Sequence, residues 1–465
     1  SGSGAYLAAR QAAIASDFEA SAEYYTRALV RNIDDPQLME SAALAQLSLG
    51  RIDRALPMAL RIEDAELRSQ IAHMIVTADL IGKEDYAALL ERDAETTGIG
   101  PYVDGPVQAW AQTGNGSVAK GLERFDLVGQ EIGLHGFALY HKALALAMVG
   151  DFEGADAILA GQQAGNITRT RRGAMAHAEI LSHLDRNPDA LALLDETFGG
   201  RLDPELEDMV ARLSAGEPLP FTHVNSVNDG MAEVFFAVGS ALSSEAAPDY
   251  ILIYARLAEY LRPDHVDAIL LSAELLEELG QYDLAIAAYK RVDEDHSAHH
   301  AAELGRATAL RKSGKPDAAI EVLESLAQTQ REEEQQKAAN VYLKVGEFFE
   351  SIYTPHKIDN YRYGAGTLKG IKHNFSHLFD RDMDKINSAD ILHWYNKRRS
   401  KGIMRSTLIR DFGAFKAMLN YAAQPLRGVS EPILKVNPIK DFTLPALTIK
   451  EQDDLEEHNE KLSHQ

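Results

Sequence analysis

The sequence predicts an all-α fold in which a long array of helical hairpins is followed by a small helical domain. Two observations carry this prediction: turn signals recur with a period near 34 residues, and apolar residues between them recur at helical spacing. The composition, with 45% apolar and 25% charged residues among 465, is typical of a globular chain. No apolar run approaches the roughly 18 residues of a membrane-spanning helix.

The period is clearest late in the array, where LGQYDLAI at 279–286 is followed by SGKPDAAI at 313–320. An early pair, SDFEA at 16–20 and GRIDRA at 50–55, has the same 34-residue spacing. Looser turn markers lie between these pairs at Gly82, Gly114, Gly150 and Asp185. The sequence therefore predicts about nine helical hairpins over residues 5–328.

Each predicted hairpin has two apolar stripes that meet. One helix carries Ala268, Leu271, Leu275 and Leu279, and the next carries Tyr282, Ala285, Ile286 and Tyr289. Gly280 ends the first helix because it can adopt a left-handed cap. This pattern resembles the tetratricopeptide repeat, and the resemblance implies a superhelix whose concave surface binds peptides or proteins. One hairpin cannot bury its apolar face alone, so neighbours are expected to stack.

The array is expected to be irregular near residues 200–232. This stretch contains three prolines and the polar sequence NSVN at 225–228. We expect a short helix and an irregular connection here, because proline removes a backbone donor and polar residues favour turns.

Charge is distributed unevenly along the chain, whose formal net charge is −23. Residues 1–330 carry 26 basic and 51 acidic residues, or −25, whereas residues 341–450 carry 18 and 10, or +8. The array is therefore expected to offer an acidic groove to a basic or hydrophobic partner, and its scarce lysines argue against carboxylate clamping. The alternative is that the acidic surface is only a solvated exterior. The basic segment suggests nucleic acid as its partner.

A polar run of strong helix formers at residues 329–340 predicts a connecting helix between the two parts. From residue 341 four segments occur in a characteristic order: FFESIYTP at 348–355, KINSADI at 385–391, KGIMRST at 401–407, and Asn437-Pro438 ahead of Leu444-Pro445. Together they resemble the core-binding domain of tyrosine recombinases (phage integrases). The resemblance covers residues 341–447 and implies a small helical module that grips duplex DNA.

The same segment can be interpreted without the family. Ser388 is the expected N-cap of a helix over 389–397, and Ser406 or Thr407 that of a helix running to about Ala423. A further helix is expected to start near Gly366. The apolar face of the last helix is predicted to consist of Leu408, Phe412, Phe415, Leu419 and Ala422.

Basic and hydroxyl side chains around these helices are the predicted DNA contacts, because Lys, Arg and helix N-termini bind phosphate. The predicted DNA-binding residues are Lys369, Lys372, Lys397, Arg398, Arg399, Lys401, Arg405, Ser406, Thr407 and Arg410.

Catalysis is not expected. A recombinase would need a following catalytic domain with a Tyr nucleophile, but the polar tail at 448–465 has neither Tyr nor Arg. The absence of Cys removes disulfides, thiolate metal sites and Cys nucleophiles. The pair His373/His377 and the cluster His296, His299 and His300 could each hold a metal, but surface histidines are the expected interpretation, so no metal or cofactor is predicted.

The main hypothesis is a non-catalytic two-part protein: a protein-binding repeat scaffold joined to a DNA-binding module of the recombinase type. The alternative is a pure protein-interaction scaffold, which could be exported, with no DNA role. A third hypothesis is that the chain is a fragment of a full recombinase. The abrupt change in composition near Gln330 suggests two unrelated genes joined together. The start at Ser1 without Met suggests processing or an artificial start, and the compartment stays open: cytoplasmic if the DNA module is native, periplasmic or exported for the array.

Overall fold

The structure is a computed structural model that describes residues 2–161, 170–340, 344–361, 364–424 and 432–446; the predicted polar tail lies outside them. It confirms the all-α fold. The chain forms two compact units, which divide between Ala327 and Gln328 and are described separately below. Within the described part of the chain, no helix combines the length and apolarity needed to cross a membrane.

Unit 1 is an array of antiparallel helices in which successive helices pack against each other. The helices are α1 Gly2–Ile14, α2 Phe18–Leu29, α3 Pro36–Ser48, α4 Ile52–Asp64, α5 Gln70–Gly82, α6 Tyr86–Glu91, α7 Ala94–Thr97, α8 Pro101–Gly114, α9 Val118–Val128, α10 His135–Met148, α11 Phe152–Leu159, α12 Arg171–His183, α13 Asn187–Phe198, α14 Pro204–Ser214, α15 Val227–Ala241, α16 Pro248–Leu261, α17 Val266–Glu278, α18 Tyr282–Tyr289, α19 His299–Lys312 and α20 Pro316–Asn340. The run predicted as a connecting helix, residues 329–340, is the continuation of α20 past the end of unit 1 at Ala327.

One left-handed residue ends the first helix of most hairpins. These residues have φ between 54° and 94° and are Ser16, Gly50, Glu84, Gly116, Gly150, Asp185, Gly280 and Gly314. The left-handed cap predicted at Gly280 is confirmed. The markers predicted at Gly82 and Gly114 are wrong by two residues, because both glycines still belong to helices α5 and α8. These turn residues are spaced 32 to 35 apart from Ser16 to Asp185 and again from Gly280 to Gly314, and 95 positions separate Asp185 from Gly280.

The second helix of several hairpins begins with an aspartate cap. Asp17, Asp85 and Asp151 each accept a hydrogen bond from the backbone N–H three residues later, at 2.8–3.1 Å. Such a cap satisfies a donor that the first helical turn leaves unpaired. Short helices such as α11 are therefore defined at their starts by local sequence.

The hairpin of α15 and α16 packs against the first helices of the earlier hairpins. Helix α15 contacts α8 and α10, and α16 contacts α3 and α5. As a result α5 is buried around nearly its whole circumference, from Ile71 to Ala78 without interruption. A helix that is apolar on all sides is expected to be enclosed by protein.

This packing requires a close approach at Gly230. A Cβ added there would overlap the indole of Trp110, which is itself fully buried. Two side-chain bonds add to the contact: Tyr250 Oη donates to Gln70 Oε1 at 3.1 Å, and Arg256 Nε donates to the Ser48 carbonyl at 3.0 Å. The predicted irregularity near residues 200–232 corresponds to α14 and the connection after it, which leads the chain into the hairpin of α15 and α16.

Unit 2 is a small helical domain. Its helices are α21 Val345–Phe348, a π-helical turn Phe349–Tyr353, α22 Thr354–Asn360, α23 Gly364–Phe375, α24 Ser388–Arg399 and α25 Arg405–Ala422. Aromatic rings form its core, where Phe375 stacks on Trp394 and Phe415 with centroids 4.6 and 4.3 Å apart. The predicted apolar face of α25 is confirmed, because all five of its residues are buried.

The predicted helix starts in unit 2 are wrong by one to three residues. Asn387, not Ser388, caps α24, and a capping box forms between Asn387 and Asp390. Helix α25 begins after Met404 without a side-chain cap, so neither Ser406 nor Thr407 serves as one. Helix α23 starts at Gly364 rather than Gly366. Adjacent cap candidates look alike in sequence, and backbone geometry decides between them.

Candidate functional site

The open concave groove predicted for the array is not available along the hairpins that α15 and α16 cover. The surface there is occupied by helix–helix contacts of the chain with α15 and α16. Candidate binding surfaces of unit 1 are therefore its clefts and its later hairpins. One cleft stands out by its chemistry.

We refer to this site as the polar cleft, a space of about 360 Å³ bordered by α12, α14, α17 and the connection before α15. Its charged and titratable side chains are Arg172, Glu179, Glu205, Asp208, Arg212, His223, Arg262, Asp264, His265, Asp267 and His296. A cleft of this size accommodates a side chain or a small ligand rather than a helix.

A buried ion-pair network forms one wall of the polar cleft. Arg172 donates to Glu233 at 2.7 Å and to Asp267 at 2.5 Å, and His265 Nε2 lies 3.3 Å from Glu233. Burial alone would raise the pKa of Glu233, but the charge of Arg172 and the hydrogen bonds from His265 and Arg172 hold it well below its usual 4.5. Tyr140 Oη donates to the same carboxylate at 3.0 Å. This network joins α10, α12, α15 and α17 by charge.

A second buried pair, Glu179 and His223, lies in the same cleft. Glu179 accepts hydrogen bonds from Thr222 N at 2.9 Å, Thr222 Oγ1 at 2.7 Å and His223 Nδ1 at 3.0 Å. These partners outweigh burial and lower the pKa of Glu179. The other ring nitrogen of His223, Nε2, is buried without a hydrogen-bond partner. An unmet buried polar group of this kind calls for an explanation.

A larger groove of about 700 Å³ lies along α8 and the segment before it. Its charges balance, with three arginines (Arg68, Arg92, Arg124) against three acids (Asp93, Asp104, Glu131). Arg92 is bound to Glu63 at 2.6 Å, and Asp104 accepts backbone hydrogen bonds from Ile99 and Gly100. The groove therefore shows no preference for a charged ligand.

Sequence reasoning did not find the polar cleft. The residues that form it are separated by up to 125 positions, from Arg172 to Ser297, and no motif links them. One signal was present: Glu233 stands among Ala232, Val234 and Phe235, so its carboxylate needs a buried partner. The identity of that partner, Arg172, depends on tertiary packing.

Unit 2 holds the ten residues predicted to bind DNA. Six of them are exposed: Ser406 and the basic residues Lys369, Lys372, Lys397, Lys401 and Arg410. Lys372 is paired with Glu350 at 2.6 Å. Gly413, Ala417 and Asn420 lie in register with Ser406 and Arg410 on the exposed side of α25, where the apolar side chain of Ile409 is also 45% exposed.

The other predicted DNA contacts are partly buried and used inside unit 2. Arg398 binds Asp411 at 2.9 Å, and Arg405 donates to the Pro445 carbonyl at 3.0 Å. Arg399 donates to the Ile403 carbonyl at 3.4 Å, and Thr407 is half-buried. Arg398 and Arg405 thus connect segments of the domain, which differs from the free phosphate contacts expected from sequence.

Histidines and carboxylates do not assemble a metal site in the described part of the chain. His296 Nδ1 accepts the backbone N–H of Ala298 at 3.0 Å, and His299 Nδ1 lies 3.2 Å from the Val292 carbonyl. His373 and His377 are exposed on unit 2.

Comparison with known proteins supports the repeat assignment. The tetratricopeptide repeat family matches residues 276–340, which span α18, α19 and α20. The chain is similar at 12% identity to a structure titled APC/C hetero-tetramer Cut9-Hcn1, over 89% of this chain and 92% of that chain, with a TM-score of 0.27. It is similar at 12% identity to one titled Naa15/Naa10 bound to HypK-THB, over 91% and 88%, with a TM-score of 0.24.

TM-scores this low do not define a shared arrangement of helices, so the repeat assignment depends on the family match and on the hairpin geometry. No curated protein matches the sequence. The family match lies outside residues 341–447, and the resemblance of that segment to a recombinase domain stays a hypothesis from sequence.

Proposed function

We propose that the chain is a protein-interaction scaffold built on tetratricopeptide-type repeats. The observation that carries this proposal is the exposure of apolar side chains on the hairpins that match the repeat family, at the end of the array. There three large apolar side chains, Leu304, Ile320 and Leu323, are 43%, 52% and 44% exposed. Leu304 lies on α19 and Ile320 and Leu323 lie on α20, and exposed apolar side chains on these two consecutive helices favour a protein contact over an empty surface.

A capture experiment tests the scaffold proposal. The tagged full-length chain is incubated with extract of its source cells, and bound proteins are quantified relative to the bait. We expect one partner at near-equimolar ratio, and its reconstituted complex should have a single defined mass in light scattering. The triple variant Leu304→Ser, Ile320→Ser, Leu323→Ser should weaken binding about tenfold or more if these side chains are central to the interface.

The control is Leu127→Ser, Ile132→Ser, Val149→Ser, which removes three apolar side chains elsewhere in unit 1 that are at least as exposed. This variant should bind as the parent does. Equal losses in the two variants, or the lack of any stoichiometric partner, would contradict the proposal.

A second candidate function is duplex-DNA binding by unit 2. It is favoured by the exposed basic side chains of α23, α24 and α25 and by the net charge of +8 over residues 341–450. The small residues Gly413 and Ala417 would let the later part of α25 approach a groove closely. Phosphate contacts from such residues release counterions and make affinity depend on salt.

The DNA proposal is tested with the full-length chain and a labelled duplex over a salt series. The variant Lys397→Gln, Lys401→Gln, Arg410→Gln should reduce the log–log salt slope by about 3, at roughly 0.9 per lost phosphate contact. The control Arg54→Gln, Lys120→Gln, Lys290→Gln changes the net charge equally on exposed sites of unit 1. A parent chain that does not bind DNA at low salt would leave the scaffold function alone.

A further inference from the structure

We propose that the groove of about 700 Å³ along α8 holds an extended, uncharged segment of a partner protein by its main chain. This inference rests on the proposed scaffold function and names what the scaffold recognises. We refer to the site as the α8 groove; its walls come from α5, α6, α8, α9 and the connection from Arg92 to Gly100. The proposal is carried by two glutamines at helical spacing and by a buried threonine hydroxyl without a partner among the described residues.

The two glutamines present neutral amide groups to the α8 groove. Gln108 and Gln112 line it four residues apart on α8, so they lie on the same face of that helix. Gln108 Nε2 donates to the Leu89 carbonyl at 2.6 Å, which orients the amide and makes its Oε1 the remaining acceptor. That oxygen and the whole Gln112 amide have no hydrogen-bond partner among the described residues, and both side chains are partly exposed.

The spacing of these amides matches that of an extended chain. Side chains four residues apart on a helix are separated by about 6 Å along its axis, at about 1.5 Å per residue. In an extended strand, main-chain groups that point to the same side recur every two residues, or about every 6.7 Å. A strand that lies along α8 can therefore place one N–H on Gln108 and its next peptide group of the same side on Gln112. A helical segment cannot do so, because its main-chain groups bond one another.

Thr77 supplies a third polar group inside the α8 groove. It lines the groove from α5 and is only 4% exposed. Its hydroxyl has no hydrogen-bond partner among the described residues, yet the oxygen keeps some accessible surface. A hydroxyl both donates and accepts, so it can bind a peptide N–H or carbonyl without any change of charge. Buried polar groups are normally satisfied, and the main chain of a ligand would satisfy this one.

The rest of the α8 groove favours uncharged side chains on the bound segment. Its floor is apolar, with Leu89, Val103 and Val107 between 1% and 4% exposed. Its three arginines are balanced by three acids, and the most buried acid, Asp104, already accepts the Ile99 N–H at 2.9 Å. An apolar side chain of the segment can pack against this floor, whereas a charged side chain would lose its hydration there.

Other ligand classes fit less well. A sugar or a nucleobase needs an aromatic ring to stack on, and none of the described lining residues is aromatic. A phosphate would meet Asp93, Asp104 and Glu131 beside the arginines. A metal ion needs several ligands in reach, and no group of three His or carboxylate residues in the described chain could hold one.

The test uses the full-length chain and a fluorescein-labelled heptapeptide of alternating valine and serine with capped ends, followed by fluorescence anisotropy. We expect saturable binding, with a Kd of about 1 mM or lower. The same peptide N-methylated at its three central residues keeps its side chains and loses three main-chain donors. It should bind about tenfold more weakly, since each lost hydrogen bond costs a factor of roughly two to ten. Peptides with a central glutamate or lysine should bind no better than the parent peptide.

Two variants of the chain locate the contact. Gln112→Ala should weaken binding of the parent peptide about fivefold and change binding of the N-methylated peptide little, because the bond it removes is already absent there. Thr77→Val keeps the shape of the side chain without its hydroxyl and should weaken binding about threefold. The melting temperature of Thr77→Val should not fall, since the hydroxyl makes no bond within the described chain. The control Gln11→Ala removes an exposed glutamine of α1, outside the groove, and should change nothing.

The proposal is overturned if the parent peptide does not bind, if the N-methylated peptide binds equally well, if a charged peptide binds more tightly, or if Gln112→Ala and Gln11→Ala behave alike. Failure here is separate from failure of the scaffold function. A captured partner that binds Gln112→Ala and Thr77→Val as tightly as the parent chain would retain the scaffold and eliminate the α8 groove as its recognition site.

Discussion

Units 1 and 2 stabilise their helices by different physical means. Every buried charged residue in the described chain belongs to unit 1, including Asp156, Glu179, Glu233, Arg256 and Glu259. Among the described residues of unit 2, Asn437 is the one buried polar side chain that is not aromatic, and Phe375 stacks between Trp394 and Phe415. The interior of unit 1 therefore depends on buried charge partners as well as on apolar packing, whereas the described interior of unit 2 depends mainly on aromatic and apolar packing, with ion pairs such as Arg398–Asp411 only partly buried.

The chain has a built-in reporter for each unit, because its two tryptophans, Trp110 and Trp394, lie in the two separate cores. Single-tryptophan backgrounds made with Trp394→Phe or Trp110→Phe therefore report the unfolding of one unit at a time. The predictions that follow use denaturant titrations in these backgrounds.

The largest effect is expected at Arg172. Arg172→Met should destabilise unit 1 by about 3–5 kcal/mol, because it leaves the Glu233 carboxylate buried without its main counter-charge. The control is Arg398→Met in unit 2, whose partner Asp411 is partly buried, with 12% of its side chain exposed against 2% for Glu233, and keeps its bond from Asn374 at 2.9 Å. This change should cost about 1 kcal/mol or less. Similar losses of unfolding free energy in the two variants would contradict the difference proposed between the two units.

The pH dependence of unit 1 is expected to come in part from His141. Burial lowers the pKa of this fully buried ring from 6.5 to about 4. The unfolded chain therefore binds a proton between pH 6.5 and 4 that the folded chain does not bind, so stability is complete above pH 6.5 and falls as pH drops. The loss should be roughly 3 kcal/mol by pH 4, at about 1.4 kcal/mol for each pH unit.

The check is the unfolding free energy followed by Trp110 emission at pH 7, 6, 5 and 4. The variant His141→Gln should flatten the slope between pH 6.5 and 4. If this variant keeps the full slope, another group of unit 1 is responsible.

How much of this could be predicted from sequence differs between local and long-range features. The apolar face of α25 and the left-handed cap at Gly280 follow from spacing and residue type, and both are found in the structure. The covering of the array by α15 and α16 does not follow. The largely apolar sequence of α5, broken only by His73 and Thr77 between Ile71 and Ala78, indicates burial on both sides, yet it cannot say which helix provides the second side.

The same reasoning applies to the candidate sites. The excess of basic residues in unit 2 is visible in sequence, but the use of Arg398 and Arg405 inside the domain depends on Asp411 and Pro445, which follow them by 13 and 40 positions. The polar cleft depends on pairs separated by even greater distances in sequence, such as Arg172 and Glu233. Short-range sequence patterns are enough to predict the helices. Which acidic residue pairs with which arginine depends on how the helices pack.

A smaller effect is expected where α15 meets the array. Gly230→Ala adds a Cβ that overlaps the ring of Trp110. Although alanine favours helices by about 1 kcal/mol over glycine, the displacement should leave a net loss of about 1–2 kcal/mol in unit 1. Gly239→Ala in the same helix is the control, since its Cβ would lie 3.0 Å from Tyr254 Cβ, a milder contact. A stabilised Gly230→Ala variant would mean that the α15 contact is loose.

The smallest effect is expected at the hairpin turns, and it is a gain. Glu84 occupies the left-handed turn position with φ 56°, where Gly50 and Gly314 stand in other hairpins. A residue with a Cβ is disfavoured in this region by about 1 kcal/mol, so Glu84→Gly should stabilise unit 1 by up to that amount, reduced by the greater freedom of glycine in the unfolded chain. The converse change Gly50→Glu should destabilise by a similar amount. Since each turn is a local structure, the two effects should add in the double variant. Trp394 emission should report no change in unit 2 for either variant, and a shift there would mean that the units do not unfold independently.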